Sequence, residues 1–138
     1  LIGGNGEKRT LRIVAQYADT WNGEGDFETW ARRNRVLDEH CRAVGRDPAE
    51  IRRTVGLPPT SIRPTHAAAV EALAERLRAN GIEAGEARAL AASSPMAGTA
   101  DEVAAALRAY ALAGAAEALV DWPAPFDDET LVELSRLA

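Results

Sequence analysis

Leu1-Ile2-Gly3-Gly4-Asn5-Gly6 runs into Leu11, Val14, Ala15 and Ala18 and then into Asp19-Thr20-Trp21-Asn22. Leu1-Ile2 reads as the end of a strand, and the glycines follow where the chain must turn. Leu11, Val14, Ala15 and Ala18 fall at i, i+3, i+4 and i+7, which predicts a short amphipathic helix from about Glu7 to Tyr17. Asp19 to Asn22 returns as a brief strand, with Gly23-Glu24-Gly25 as a turn after it. Strand, glycine loop, helix and strand make a βαβ unit.

The alternation continues downstream. Asp26 caps a helix with Glu28 in its first turn and Phe27, Trp30, Leu37, Cys41 and Val44 on one face, ended by Gly45. Asp47-Pro48 starts another helical turn, and Arg53 to Leu57 is extended until Pro58-Pro59 stops it. Val70, Leu73 and Leu77 predict a helix over Thr65 to Asn80 ended by Gly81, with a further helical piece from Ala84 to Ala92. The alanine-rich stretch has a weak stripe, so Arg63 to Ala97 is read as a variable insertion rather than part of the scaffold. Thr99-Ala100-Asp101-Glu102 is a capping box for a helix carrying Val103, Ala106, Leu107 and Tyr110, which Gly114 terminates. Ala116 to Trp122 then reads as a nearly continuous apolar strand, Pro123 to Phe126 as a loop, and Asp127 or Asp128 as the cap of a last helix with Leu131 and Leu134.

Helices alternating with short strands imply a parallel α/β sheet, either doubly wound or part of a (β/α)8 barrel. Three or four strands do not close a barrel, which fits about half of one. Leu1 stands without a methionine, in a strand too short to be whole, so the expectation is one partial domain, residues 1–138 of a longer protein.

At 138 residues and 46% hydrophobic, the chain suits one modest core. A net charge of -5 with interspersed basic residues argues against nucleic acid as a partner. No apolar run reaches the roughly 18 residues that span a bilayer, and no leader is recognised, which predicts no membrane partner and a cytoplasmic location. The single cysteine, Cys41, excludes an internal disulfide framework.

Two readings fit Gly3, Gly4 and Gly6 equally by spacing. One is an anion cradle of backbone N–H groups at a helix N-terminus; the other is a tight turn needing positive φ. Lys8 and Arg9 in the first helical turn oppose the helix dipole, a conflict that a bound anion relieves, but solvated surface charge is the commoner reason, so neither enters the site. Trp21 and Asn22 end the next strand, where parallel α/β folds place ligand-binding loops; a core role for Trp21 and a turn role for Asn22 also fit. His40 and His66 lack partners at metal-ligand or acid/base spacing and are read as structural, and Cys41 as a small core residue. Asp101-Glu102 and Asp127-Asp128 are read as helix caps, and Ser93-Ser94 has no associated base. No catalytic residue and no metal site are assigned.

Residues 1–22 together resemble the luciferase-like monooxygenase family, especially its deazaflavin-dependent oxidoreductases. Gly45-Arg46-Asp47-Pro48-Ala49-Glu50-Ile51 and Gly98-Thr99-Ala100-Asp101-Glu102-Val103, followed by Ala113-Gly114 and the apolar strand, are similar to later family landmarks in the same order. Arg63 to Ala97 matches weakly. The resemblance implies the C-terminal half of a (β/α)8 TIM barrel of the bacterial luciferase-like type, with the N-terminal half as the missing partner. It implies coenzyme F-420, or alternatively FMN, with the cofactor phosphate near Gly3, Gly4, Asn5 and Gly6 and with Trp21 and Asn22 lining the neighbouring loop. The implied chemistry is hydride transfer or monooxygenation of a small-molecule substrate, the ring-facing residues lying upstream and the isolated piece being inactive. A homo-oligomer is compatible with this reading. The alternative is a non-enzymatic, stand-alone α/β binding or interaction module.

Overall fold

The computed structural model describes residues 1–137. Packing divides them into two compact units, Leu1–Gly56 with Ala109–Leu119, and Leu57–Arg108 with the chain from Val120 onward. The strands are β1 (Ile2–Gly3), β2 (Thr20–Glu24), β3 (Arg52–Leu57), β4 (Ser61–Ile62), β5 (Ala97–Gly98) and β6 (Glu117–Val120). The helices are α1 (Thr10–Tyr17), α2 (Phe27–Ala43), α3 (His66–Ala79), α4 (Ala84–Ser93), α5 (Ala100–Leu112) and α6 (Asp128–Leu137).

The first unit is built on a sheet of order β1-β2-β3-β6. β1 pairs with β2 in parallel, Ile2 opposite Trp21 and Gly3 opposite Asn22, and β2 pairs with β3 in parallel, Trp21 opposite Arg53. Leu11, Val14 and Ala15 of α1 and Trp30, Leu37 and Cys41 of α2 are buried, as the apolar spacing predicts. Asp26 caps α2 by accepting from the Thr29 N–H at 2.8 Å, and that bond holds its carboxyl below the usual range. The expected face of α2 is narrower than its apolar spacing suggests, because Phe27 and Val44 at its ends remain exposed.

Two boundaries differ from expectation. α1 starts at Thr10, because Glu7 to Arg9 form a turn, and β2 runs on through Gly23-Glu24. Gly23 stays in the strand because its missing side chain leaves room for two indoles. A Cβ there would lie 2.4 Å from the Trp21 ring and 3.0 Å from the Trp30 ring. Trp21 and Trp30 stack with centroids 5.8 Å apart, and Tyr110 meets Trp30 edge-on at 5.8 Å. β3 is less apolar than its neighbours suggest, since Arg53 is buried in it. Its guanidinium donates to the Asn34 side chain (3.1 Å), the Ile51 carbonyl (2.6 Å) and Asp38 (2.6 Å), so the buried charge is paired.

The second unit contains Arg63 to Ala97, where α3 and α4 form the two helices that the spacing predicts, beside a small sheet. β4 and β5, two residues each, pair in parallel, Ser61 opposite Ala97 and Ile62 opposite Gly98. Leu73 and Ala74 of α3, Ala91 of α4 and Ala97 make a core that Val70 and Leu77 flank. Alanines at these positions let the two helices approach closely. The capping box is formed in both directions, the Thr99 N–H donating to Glu102 at 2.7 Å and the Glu102 N–H to the Thr99 hydroxyl at 3.3 Å.

The apolar strand expected over Ala116 to Trp122 forms as the shorter β6, Glu117–Val120, and its apolar run does not make it buried. Glu117, Ala118 and Leu119 of β6 are exposed, and β6 is an edge of the sheet. In α6, Thr130 is buried while Leu131 is exposed. No helix among the described residues is long and apolar enough to cross a membrane.

If Gly23 reserves the space of the indole stack, Gly23→Ala should destabilise the fold by about 1–3 kcal/mol through overpacking. A urea midpoint equal to that of the unaltered protein would contradict this account.

Candidate functional site

The loop after β1 is fixed to β2 by hydrogen bonds in both directions. The Gly4 N–H donates to the Asn22 carbonyl at 3.2 Å, the Trp21 indole N–H donates to the Gly4 carbonyl at 3.0 Å, and the Glu24 N–H donates to Asn5 Oδ1 at 3.0 Å. Gly4 has φ +131°, a conformation that side chains rarely adopt. Gly6 permits close approach, since a Cβ there would stand 2.7 Å from Thr10 Oγ1. Gly3 differs from both, having open space around the position of an added Cβ.

Beyond the glycines, α1 begins without a side-chain cap and without an acidic residue in its first turn. The first amide bonded into the helix is that of Leu11, which donates to the Gly6 carbonyl at 3.0 Å. The N–H groups of Glu7, Lys8, Arg9 and Thr10 have no acceptor among the described residues. Asn5, Gly6, Glu7, Lys8, Arg9 and Thr10 line a shallow depression there. Free amides, the positive end of a helix dipole and two cationic side chains converge on it, and this combination attracts an anion. Glu7, the one acid in the depression, is held by Arg32 and its carbonyl lies 2.8 Å from His40 Nε2. Lys8 and Arg9 therefore belong to the depression although sequence reasoning set them aside; two cations in the first turn, where the helix dipole disfavours them, were the available signal.

Trp21 does not open onto the loop. It is fully buried on Trp30 and reaches Gly4 only through its indole N–H. Asn22 is half-buried beside Gly3, its Oδ1 accepting from the Thr54 hydroxyl at 2.8 Å. The structure thus brings Gly3 to Gly6, Trp21 and Asn22 together, with Trp21 as a support under the loop.

The remaining polar candidates have structural partners. His66 Nδ1 lies 3.3 Å from Glu102, and Cys41 is buried, which pushes its thiol pKa up and leaves it unreactive. No group of three or more His, Cys, Asp or Glu residues among those described is arranged to hold a metal ion. Asp127 does more than cap α6. Besides accepting from the Thr130 N–H at 3.1 Å, it pairs with Arg63 at 3.1 Å and Arg76 at 3.4 Å. Burial alone would raise its carboxyl, but the bonds from the Thr130 N–H and hydroxyl and from Arg63 outweigh it and hold Asp127 below the usual range.

No family model matches the chain, and no curated protein matches it. Solved structures do. The coenzyme F-420-dependent tetrahydromethanopterin reductase of Methanopyrus kandleri superposes on 96% of this chain and 47% of its own, with TM-score 0.68 and 19% identity. An F-420-dependent secondary alcohol dehydrogenase in complex with an F-420–acetone adduct covers 86% of this chain and 41% of its own, with TM-score 0.62 and 19% identity. The FMN-bound oxygenating constituent of 3,6-diketocamphane monooxygenase from Pseudomonas putida covers 98% and 44%, with TM-score 0.65 and 15% identity. The chain spans less than half the length of these proteins, and its fold is that of part of a luciferase-like (β/α)8 barrel.

The depressed Asp127 carboxyl sets a pH dependence. As pH falls through the ordinary carboxylate range, about 4, the unfolded state takes up the proton first, and stability is lost down to the folded-state value. Asp127→Asn should lower the unfolding free energy at neutral pH by about 3 kcal/mol, read as a lower urea midpoint, for breaking a buried pair, and should remove this part of the acid-induced loss. Parallel midpoint-against-pH curves for the two proteins would refute the assignment.

Proposed function

We propose that the chain is the C-terminal, cofactor-phosphate-binding half of a luciferase-like oxidoreductase that uses coenzyme F-420, with FMN as the alternative cofactor. The observation that carries this reading is the uncapped start of α1, where four amides without acceptors meet Lys8 and Arg9 in one depression. On this fold the loop stands directly after the C-terminal end of β1, the side on which parallel barrels bind ligands. F-420 and FMN are the cofactors named for the similar solved proteins.

In this reading the backbone from Gly3 to Gly6 and the first turn of α1 hold the phosphate, while Lys8 and Arg9 balance its charge. Asn5 and the Trp21 indole keep the loop in place for it, and Asn22 borders it from β2. The cofactor, when bound, supplies the redox chemistry, hydride transfer or oxygenation of a small-molecule substrate. The residues that face its ring belong to the other half, which leaves this chain alone inactive. We place the protein in the cytoplasm, and a homo-oligomer of the whole barrel is compatible with the arrangement.

The second reading is a stand-alone binding module, and the Gly6–Thr10 contact favours it by explaining one glycine without a ligand. Cofactor titration of the full-length protein separates the two. Lys8→Ala combined with Arg9→Ala should weaken F-420 or FMN by tenfold or more, about 1.4 kcal/mol. Both side chains are exposed, so the urea midpoint should stay unchanged. Gly3→Ala, which meets no neighbour, should weaken the cofactor while sparing the fold. Failure of both cofactors to bind, or binding by these variants as tight as the unaltered protein's, would overturn the reading.

The edge strands carry a further consequence. β1 and β6 are the two edges of the sheet, and Leu119 of β6 is 41% exposed. If the other barrel half covers them, the chain expressed alone should self-associate, and co-expression with the upstream half should restore a defined species. A stable monomer of the isolated chain by light scattering would argue for the module instead.

A further inference from the structure

Two arginines are buried to 7% exposure, and they differ in one respect. Arg53 has every guanidinium nitrogen bonded. Arg76, on α3, uses only Nη1, which donates to the Thr60 carbonyl at 2.8 Å and to Asp127 Oδ2 at 3.4 Å. Its Nε and Nη2 are buried and have no acceptor among the described residues. Those two N–H groups point the same way in the guanidinium plane. They form the fork that grips a carboxylate or a phosphate through two parallel hydrogen bonds.

The surroundings favour an anion at that fork. The side chains of Arg63, Arg76 and Asp127 are 17%, 8% and 4% exposed, so one buried carboxylate stands between two guanidiniums. Glu129, the second acid on Arg63 at 3.2 Å, is 58% exposed, and water screens it. Glu129 and Asp127 both serve Arg63, so Arg76 shares its one carboxylate with a second guanidinium, and the buried N–H groups it leaves unpaired cost free energy. Trp122 lies over the guanidinium with its ring centroid 5.3 Å from Cζ. An indole covers the face of the cation and leaves the in-plane edge to a ligand.

We propose that the Nε and Nη2 edge of Arg76, roofed by Trp122, is the receptor for the oxyanion of a small molecule, a carboxylate or a phosphate. The anion completes the pairing of Arg76. Because the edge is buried, entry requires movement of the loop from Asp121 to Phe126, which Asn80 holds through a 2.6 Å bond to the Ala124 carbonyl. Binding therefore changes the environment of Trp122. The residues are not those of the Gly3 to Gly6 loop, and the inference does not depend on the cofactor reading.

The test uses the full-length protein without cofactor, titrated separately with inorganic phosphate, acetate and, as an ionic-strength control, chloride. The readouts are the heteronuclear NMR signal of the Arg76 Nε–H group and the Trp122 fluorescence, obtained by difference from Trp122→Phe. The expected result is a saturable response of both to phosphate or acetate and none to chloride. A response to phosphate alone identifies a phosphate-bearing ligand, and one to acetate alone a carboxylate. Arg76→Lys keeps the charge but not the fork and should raise the Kd about tenfold or more. An Arg76 signal that moves with neither oxyanion overturns the proposal, as does an equal response to chloride or an undiminished affinity in Arg76→Lys. Should Arg76→Lys fail to fold, the Nε–H titration of the unaltered protein decides alone.

Discussion

The hydrogen bond from the Trp21 indole to the Gly4 carbonyl is the link on which the first unit's site depends. A buried indole needs an acceptor for its N–H, and Trp21 is fully buried on Trp30. Gly23 makes room for the pair and Tyr110 closes it from α5, so the indole has little freedom to turn elsewhere. The core thereby dictates where the Gly4 carbonyl sits. The same loop donates from the Gly4 N–H to the Asn22 carbonyl and accepts at Asn5 Oδ1 from the Glu24 N–H, and α1 starts from it without a side-chain cap. Packing of large side chains and presentation of backbone donors are two consequences of one arrangement.

The second unit solves a different problem. Between α3 and α4 its packing uses small side chains, Ala74, Ala91 and Ala97 around Leu73, while Ile62, Met96 and Val103 are buried as well. Polar groups supply much of its internal order. Asp127 caps α6 and joins Arg63 and Arg76, and the Thr130 hydroxyl accepts from the Ile62 N–H at 2.8 Å while donating to Asp127. Such a network specifies geometry when every member is paired and becomes costly when one is not. Arg76 is the member whose pairing is incomplete.

Helix boundaries governed by caps were legible before the structure. Asp26, Asp47, Thr99 with Glu102, and Asp127 each act within three residues, and the alternation of elements implied a parallel α/β sheet. The start of α1 was misplaced because Glu7 to Arg9 have ordinary helical propensity, and only the turn shows otherwise. β4 and β5 were missed because two residues carry no period-two pattern. The exposure of β6 was also out of reach, since an apolar run states what a strand prefers and not which neighbour it has.

Residue type and spacing state the succession of helices, the glycine loop between a strand and a helix, and the caps of α2, α5 and α6, because each rests on interactions between residues close in the chain. The tertiary structure alone decided that Trp21 supports the loop rather than lining it, that Lys8 and Arg9 share a depression with free amides, and that Arg76 is buried against Asp127 and Trp122. The last contact joins residues far apart in sequence. Side-chain burial and pairing across such separations follow from packing, and residue type and spacing do not encode which distant partner a side chain will meet.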